Sequence, residues 1–174
     1  MVKVLVDLES DKSVLDLMDK VKKEVDFEIE EKEFSKLKPA IGILDKNGKI
    51  RVTFLGVPKF EGLVESIKIF SSGNYHLTER VLNFLDMIDK PVDIKVFTTQ
   101  GCGWCYPAII KAVSFAYLSE FINVSIYDCY SFPDLATSYN VITVPKTVIN
   151  DKIEFVGTKD DNEFLGYILT AIKE

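Results

Sequence analysis

The sequence predicts an α/β fold of two tandem units, each a mixed β-sheet flanked by helices. Three observations lead to this prediction: apolar residues that recur first at strand spacing and then at helical spacing, a hairpin late in each half, and the same order of elements in both halves. A strand joined to the next strand through a helix implies parallel neighbours, and each hairpin adds antiparallel ones. The order strand, helix, strand, hairpin, helix occurs twice, and a weak internal duplication is its simplest account.

The first unit is predicted to cover residues 1–75. Valines alternate with polar residues in 2–8, as in a strand with one buried face, and a helix that Asp11 or Ser13 caps comes next. Residues 26–33 alternate again as a second strand. Two apolar runs separated by turn residues then predict a hairpin, and apolar residues at helical spacing predict a closing helix.

A linker helix and a second unit follow. The linker helix is predicted over residues 76–90, with a cap near Thr78. The second unit, residues 91–174, repeats the order of the first and adds a short helix before its hairpin. Its last helix begins with a capping box, because Asp160 stands three residues ahead of Glu163.

Both hairpins carry the same two marker residues. A proline stands just before each hairpin, Pro39 in the first half and Pro145 in the second, and a glycine stands just after it, Gly56 and Gly157. Proline and glycine have unusual backbone preferences, and their matching positions in the two halves support the internal duplication.

Charge and hydropathy narrow the class of protein. The chain has 174 residues and a net charge of -6, and an acidic surface is poorly suited to nucleic acid, whose phosphates need a basic one. No apolar stretch approaches the roughly 20 residues of a membrane helix. The N-terminus has no basic segment followed by an apolar run. We therefore expect a cytoplasmic protein that binds neither nucleic acid nor membrane.

Two of the three cysteines stand only two residues apart, in TTQGCGWCYP. Three kinds of chemistry use this spacing: a reversible dithiol/disulfide pair, half of a metal site, or two core cysteines. An odd count does not suit the disulfide framework of a small secreted protein. Zinc takes four ligands, and only Cys129 and His76 remain to join Cys102 and Cys105. If they do not bind zinc, Cys129 is expected to be a small buried hydrophobic residue and His76 a surface residue.

The cysteine pair lies between a predicted strand and a predicted helix. Cys102 then falls at or just before the helix N-terminus, where free N–H groups and the helix dipole favour the nucleophilic thiolate. Cys105 falls nearly one turn later and is more shielded. We expect Cys102 to attack a disulfide and Cys105 to resolve the mixed disulfide. Trp104 either covers the helix start or contacts the substrate, and Pro107 either needs no N–H at its position or distorts the helix.

The second half resembles thioredoxins and glutaredoxins, and the duplicated arrangement resembles the archaeal protein disulfide oxidoreductases, which carry two thioredoxin-fold units in one chain. The resemblance rests on VFTTQGCGWC, FPDLATSYNVITVPKTVI and FLGVPKFEGLVESIKIF. It implies two thioredoxin-like units, a cis-proline at Pro145, and a substrate chain paired with the backbone of Thr143 and Val144. It also implies protein disulfides as substrates, catalysis by Cys102 and Cys105 without cofactor or metal, and a thioredoxin reductase-like electron donor.

Both units depart from this family's pattern. The first has no cysteine in LESDKS after its opening strand, and only residues 35–38 separate its second strand from Pro39, so the second helix of the fold is missing. We expect a degenerate unit with a structural or substrate-binding role. In the second unit, Val96 stands where thioredoxin has a buried aspartate. Asp128 is the substitute candidate for a proton carrier near Cys105, and an ordinary strand-end carboxylate is its competing interpretation.

The predicted function is that of a thiol-disulfide oxidoreductase that reduces protein disulfides or, in another redox setting, oxidises or isomerises them. One alternative is a glutathione-dependent, glutaredoxin-like enzyme, because Gly157, Lys159, Asp160 and Asp161 resemble glutathione contacts, although Thr158 replaces a glycine there. The other alternative is a thioredoxin-fold binding or metal module without enzymatic activity.

Overall fold

A computed structural model of the chain describes residues 1–8 and 13–173, and it confirms the predicted α/β class. The strands are β1 (Lys3–Asp7), β2 (Glu28–Glu31), β3 (Ala40–Leu44), β4 (Ile50–Leu55), β5 (Val92–Thr98), β6 (Ile122–Asp128), β7 (Lys146–Ile149) and β8 (Ile153–Val156). The helices are α1 (Ser13–Lys22), α2 (Phe60–Ser72), α3 (Glu79–Leu82), α4 (Cys105–Leu118), α5 (Pro133–Ser138) and α6 (Asp161–Ala171). Asp11, one of the two predicted caps of α1, lies outside the described residues.

The two predicted units join edge to edge in one eight-stranded sheet of order β2-β1-β3-β4-β6-β5-β7-β8. Each half has the same pairing: its first two strands are parallel, and its third strand is antiparallel to both the first and the fourth. The halves meet where β4 pairs in parallel with β6, from Val52 opposite Val124 to Leu55 opposite Tyr127. The sequence did not predict this junction, and the predicted unit boundaries stay predictions.

The marker residues of the two hairpins make the same hydrogen bond. The N–H of Gly56 donates to the carbonyl of Pro39 at 2.9 Å, and the N–H of Gly157 donates to the carbonyl of Pro145 at 2.8 Å. Both glycines have a left-handed φ, +88° and +86°, which glycine adopts without a Cβ penalty. Both prolines follow a cis peptide bond, as predicted for Pro145. The halves therefore share details of backbone geometry as well as strand order.

Apolar residues fill both faces of the sheet, but unequally. The main core lies on the face covered by α1, α2, α4 and α6. A smaller cluster lies on the other face of the sheet, around Phe97 and Tyr127, and includes residues of both halves together with α5 and its flanking loops. The first half has no helix between β2 and β3 among the described residues, as predicted, and Phe34 in that segment contacts the sheet at Gly42 instead. No helix among the described residues is long and apolar enough to span a membrane.

The strand β2 forms one edge of the sheet and is exposed along its whole length. It is only four residues long, and three of these are glutamates: Glu28, Glu30 and Glu31. Glu30 lies 3.1 Å from the amino group of Lys3 on β1, in an exposed ion pair.

The predicted linker helix over residues 76–90 is wrong as a continuous element. The segment instead holds the four-residue α3 and a separate 3₁₀ turn at Leu85–Met87. Thr78 precedes α3, but its side chain makes no cap hydrogen bond, and its N–H donates to the Asp161 carboxylate at 2.6 Å. Only Val81 and Ile88 are fully buried in this segment. Short helices are marginal in water without packing. Only short helical turns therefore form, close to the two buried residues.

Arg51 on β4 is the main buried polar link between the halves. Its guanidinium donates to three carbonyls at the end of α4 and the start of β6, those of Ala116 (2.9 Å), Ser119 and Ile122. Its Nε donates to Asn123 at 3.2 Å, and the Asp45 carboxylate lies 3.4 Å away. Carbonyls at a helix C-terminus have no intrahelical partner and carry the negative end of the helix dipole. A planar, branched cation satisfies several of them at once.

Replacing Arg51 by methionine should lower the free energy of unfolding by about 3 kcal/mol or more, because buried carbonyls and the Asp45 carboxylate lose their partner. Lysine at the same position should recover only part of the lost stability, since one ammonium does not reproduce the forked set of donors of a guanidinium. Urea unfolding of Arg51→Met, Arg51→Lys and the exposed control Arg80→Met measures this. Equal stabilities of the Arg51 and Arg80 variants would contradict the assignment.

Candidate active site

The two cysteines of the C-x-x-C sequence form a disulfide between the end of β5 and the start of α4. Their Cα atoms are 5.4 Å apart. The N–H of Cys102 donates to Thr99 and the N–H of Cys105 donates to Cys102, each at 3.3 Å, so the loop turns twice before the helix begins. Among residues 1–8 and 13–173, no three His, Cys, Asp or Glu side chains are grouped to hold a metal ion. The pair is therefore placed for dithiol/disulfide chemistry.

The two sulfur-bearing residues differ in accessibility. Cys102 is half-buried, whereas Cys105 is fully buried as the first residue of α4. Trp104 precedes the helix and makes no side-chain cap, and the positive end of the helix dipole at this point favours a negative sulfur. Pro107 is the third residue of α4, where an N–H has no intrahelical partner, and the helix continues to Leu118. Of the two predicted alternatives for Pro107, the structure supports the dispensable N–H.

Trp104 is exposed beside the disulfide rather than folded over the helix start. Its residue surface is 72% exposed. The carbonyl of Trp104 accepts a hydrogen bond from the Thr158 hydroxyl at 3.2 Å, which ties the cysteine loop to the segment after β8. The backbone is thereby held while the indole remains accessible. A large exposed aromatic ring next to a redox disulfide suits contact with another molecule.

The segment before Pro145 presents unpaired backbone to solvent. Thr143 is exposed, Val144 is half-buried and packs against the main core, as Cys102 does, and Pro145 is buried. The N–H and C=O groups of Thr143 and Val144 make no hydrogen bond within the described part of the chain. Backbone groups in this state accept an added extended strand.

The corresponding segment of the first half is closed. Leu37 stands two residues before its proline, as Thr143 does, but the Ser35 hydroxyl donates to the Leu37 carbonyl at 2.8 Å and accepts from the Leu37 N–H at 3.2 Å. Both backbone groups that would pair with a peptide are thereby occupied. The structure offers an open edge before the proline only in the half that carries the cysteines.

An internal ion pair fixes this closed segment. The carboxylate of Asp7, at the end of β1, lies 2.8 Å from the Lys38 amino group and accepts from the N–H groups of Phe34 and Ser35 at 2.7 and 3.0 Å. Burial alone would raise the pKa of Asp7, but the hydrogen bonds from Lys38 and the two backbone groups outweigh it and hold the pKa below its ordinary value. Asp7 thus remains ionised and holds the loop against β1.

Asp128 ends β6 in a tight turn. It is buried, its Oδ2 accepts from the Ser131 hydroxyl at 2.6 Å, and its Oδ1 accepts from the Tyr130 N–H at 3.3 Å. These contacts are those of a strand-end carboxylate that stabilises the following turn. Transfer of a proton to or from Cys105 through Asp128 stays a prediction.

The remaining thiol and the histidine lie outside the redox pair. Cys129 is free and half-buried, and it packs against the smaller cluster. Burial, and next the charge of Asp128, raise the pKa of its thiol, so it favours the unreactive protonated form. His76 is exposed, with its Nε2 2.7 Å from the Glu65 carboxylate.

Asp160 and Asp161, the two adjacent aspartates at the start of α6, stabilise the fold. The Asp160 carboxylate accepts from the Glu163 N–H at 2.9 Å, which confirms Asp160 as the helix cap. The Asp161 carboxylate lies 3.0 Å from the Lys111 amino group and accepts from the Thr78 N–H. Burial alone would raise the pKa of Asp161, but the Thr78 and Lys111 contacts hold it below its ordinary value. Asp161 is therefore engaged inside the protein.

Because the folded-state pKa of Asp161 is lowered, its stabilising contribution exists above the unfolded pKa of about 3.9 and is lost as the pH falls through the folded pKa. We expect Asp161→Asn to be about 1–2 kcal/mol less stable than the wild type at neutral pH, with the difference narrowing below about pH 4. Urea unfolding across this range measures the difference. The exposed Asp134→Asn serves as control, and a gap independent of pH would count against the ion pair.

The first half contributes directly to the loops around the disulfide, which sequence patterns did not indicate. A Cβ atom on Gly56, just after β4, would lie 2.6 Å from the Ser131 hydroxyl oxygen and 2.9 Å from the Cβ of Asp128. The amino group of Lys59 donates to the Gln100 carbonyl at 3.2 Å. Because β4, β5 and β6 are parallel neighbours, their carboxyl ends meet at this edge of the sheet.

Gly56 and Gly157 form a matched pair that isolates this contact. Alanine at Gly157 meets only the left-handed backbone, since its Cβ would find no atom within 4 Å, whereas alanine at Gly56 also collides with the turn after β6. We expect Gly157→Ala to cost about 1 kcal/mol and Gly56→Ala about 1–3 kcal/mol more. Chemical unfolding of both variants gives the difference directly. Similar losses of stability in the two variants would mean that the turn after β6 shifts to accommodate the added methyl group.

Comparison with known proteins supports the assignment of the fold. Residues 92–170 match the thioredoxin domain family, the half that holds the cysteines. No curated protein matches the sequence. A protein disulfide oxidoreductase from Aeropyrum pernix superposes with a TM-score of 0.86 at 25% identity, covering 99% of this chain and 86% of that one.

Two further solved structures share the complete fold at lower identity. The N-terminal domain of the alkylhydroperoxide reductase AhpF from Enterococcus faecalis has a TM-score of 0.83 at 19% identity, covering 96% of this chain and 90% of that one. Sso1120 from Sulfolobus solfataricus has a TM-score of 0.71 at 20% identity, covering 90% of each chain. These matches confirm the two-unit thioredoxin fold, and the Aeropyrum pernix match confirms the predicted resemblance to protein disulfide oxidoreductases.

Proposed function

We propose that this chain, whose residues 92–170 match the thioredoxin domain family, is a thiol-disulfide oxidoreductase that acts on protein disulfides through Cys102 and Cys105. One observation is central to the proposal. The half-buried Cys102 and the fully buried Cys105 are joined at the start of α4. The likeness to the Aeropyrum pernix protein disulfide oxidoreductase supports the same enzyme class.

The proposed reaction begins with the reduced protein. The Cys102 thiolate attacks one sulfur of a substrate disulfide, so that a Cys102–substrate bond forms and the other substrate sulfur leaves as a thiolate and takes a proton from water. Cys105 then loses its proton and attacks the sulfur of Cys102, which releases the second substrate thiol. The substrate gains two electrons and two protons, and the protein keeps the Cys102–Cys105 disulfide.

The difference in accessibility assigns these roles. A substrate disulfide reaches Cys102, whereas Cys105 reacts only inside the protein after the mixed disulfide has formed. The positive end of the α4 dipole favours the Cys102 thiolate both as attacking and as leaving group. No cofactor or metal takes part in the proposed exchange.

The substrate is proposed to bind as an extended segment. The open backbone groups of Thr143 and Val144 provide hydrogen bonds to a peptide chain beside the disulfide, and Trp104 provides apolar contact. These groups recognise main chain and general apolar surface, so the proposed substrate class is protein disulfides of varied sequence.

The direction of exchange depends on the electron source. Net reduction needs a dithiol or a thioredoxin reductase-like donor to reopen the Cys102–Cys105 bond, and we include such a donor in the proposal. In a setting where intracellular disulfides persist, the same pair would oxidise or isomerise substrates.

Substitution of the cysteines separates their roles. Cys102→Ser should abolish the reduction of insulin disulfides in the presence of dithiothreitol. Cys105→Ser should instead accumulate a covalent adduct with the substrate, visible by non-reducing electrophoresis and mass spectrometry. Cys129→Ser should retain wild-type turnover and serves as the matched control. Wild-type turnover by Cys102→Ser would refute the assignment.

Replacing dithiothreitol by glutathione and glutathione reductase tests the glutathione-dependent alternative. We expect at least a tenfold lower rate with glutathione, because the Asp161 carboxylate is occupied by Lys111 and Thr78. A faster glutathione-coupled reaction would favour the glutaredoxin-like enzyme.

A further inference from the structure

Lys59 is a largely buried cation that the proposed exchange reaction leaves unused. It precedes the first residue of α2, and only 16% of its side-chain surface is exposed. Its amino group donates to the carbonyl of Gln100 at 3.2 Å. An ammonium carries three donors and is charged at neutral pH, and a single carbonyl does not neutralise it. A lysine of the cysteine-free half therefore places a positive charge on the loop that leads to Cys102.

The covalent chain limits how far this charge lies from the reactive sulfur. Gln100 and Cys102 are two residues apart, so the Lys59 nitrogen lies no more than about 13 Å from the Cys102 sulfur. The Debye length is about 10 Å at 0.1 M salt, and the low exposure of Lys59 reduces screening by water. The limit slightly exceeds the Debye length, so the charge acts on a thiolate only because Lys59 is shielded from most of the solvent.

The acidic groups around the site are already paired or more exposed. Glu61 is 4.0 Å from the Lys59 amino group, but its side chain is 67% exposed, so solvent weakens its opposing field. The remaining groups on the adjoining elements are Glu65, Tyr106, Lys111, Asp128, Cys129, Lys159, Asp160 and Asp161. Asp161 is neutralised by Lys111, Glu65 contacts His76, and the Asp128 carboxylate is held by Ser131.

We propose that Lys59 is a positioning residue of the redox site: the first half, which has no cysteine, holds the Cys102 loop through the Gln100 carbonyl and supplies a cation that favours the thiolate of reduced Cys102. This inference rests on the proposed role of Cys102 as nucleophile. It assigns the degenerate half an electrostatic part in the reaction. The proton released from Cys102 goes to solvent, and Lys59 keeps its own protons throughout.

The thiolate population of the reduced protein tests this without any turnover. The rate of alkylation of Cys102 by iodoacetamide is followed from pH 4 to 10 in a Cys105→Ser, Cys129→Ser background, with the modified residue identified by mass spectrometry. Lys59→Gln should move the midpoint of the profile up by about half a pH unit, which lowers the thiolate population below the midpoint about threefold. Lys59→Arg should restore the wild-type midpoint.

Lys68→Gln is the matched control. It removes the same charge from within α2, nine residues and roughly 13 Å further along the chain, and should leave the midpoint unchanged. The Lys59→Gln shift should also shrink in 1 M salt, because an electrostatic effect is screened there. An unchanged midpoint in Lys59→Gln, or equal shifts in Lys59→Gln and Lys59→Arg, would overturn the proposal. Failure of disulfide exchange in the wild type would refute the proposed function but leave this measurement valid.

Discussion

The contact between the two halves is the constraint on which the rest of the structure depends. Parallel pairing of β4 with β6 aligns the carboxyl ends of strands from both halves at one edge of the sheet. Arg51 secures the opposite end of this junction by binding carbonyls that α4 leaves unpaired. Removing a charged group from water is costly unless its hydrogen-bonding capacity is used, so this residue tolerates little displacement. The position of α4, and with it the start of the helix at Cys105, follows from a residue in the other half.

The two halves share the same backbone arrangement but differ in which backbone groups are open to a substrate. Each has the same strand pairing and the same bond from a glycine to a proline carbonyl. In the second half the segment before the proline is open, whereas Ser35 and the pair of Asp7 with Lys38 close it in the first. The first half has no cysteines, and its backbone groups that would otherwise bind a substrate are hydrogen-bonded within the protein. The closed half retains a role through its contacts with the loops of the open one.

Local patterns in the sequence predicted most of the elements and the redox pair, because these depend on periodicity, turn residues and spacing. The cysteines, Pro145 and Asp160 act within a few residues of the elements they begin or precede, and sequence patterns show such relations. The junction of β4 with β6 depends on which edges of two similar sheets meet, and neither strand carries a residue that marks it as internal. Arg51 looks like an ordinary charged strand residue, and Lys59 like a surface lysine at a helix start, since their partners lie far along the chain. The linker helix failed for a related reason: its helical periodicity was real, but only two of its residues are fully buried.

The exposed edge at β2 affects how copies of this chain meet one another. A sheet of eight strands that ends in unpaired backbone offers a template for further strands. Here that template is four residues long and carries three glutamates, so a second copy added to it would bring glutamates of the two copies opposite one another. Growth of the sheet from this side is therefore opposed by charge repulsion, which salt would screen.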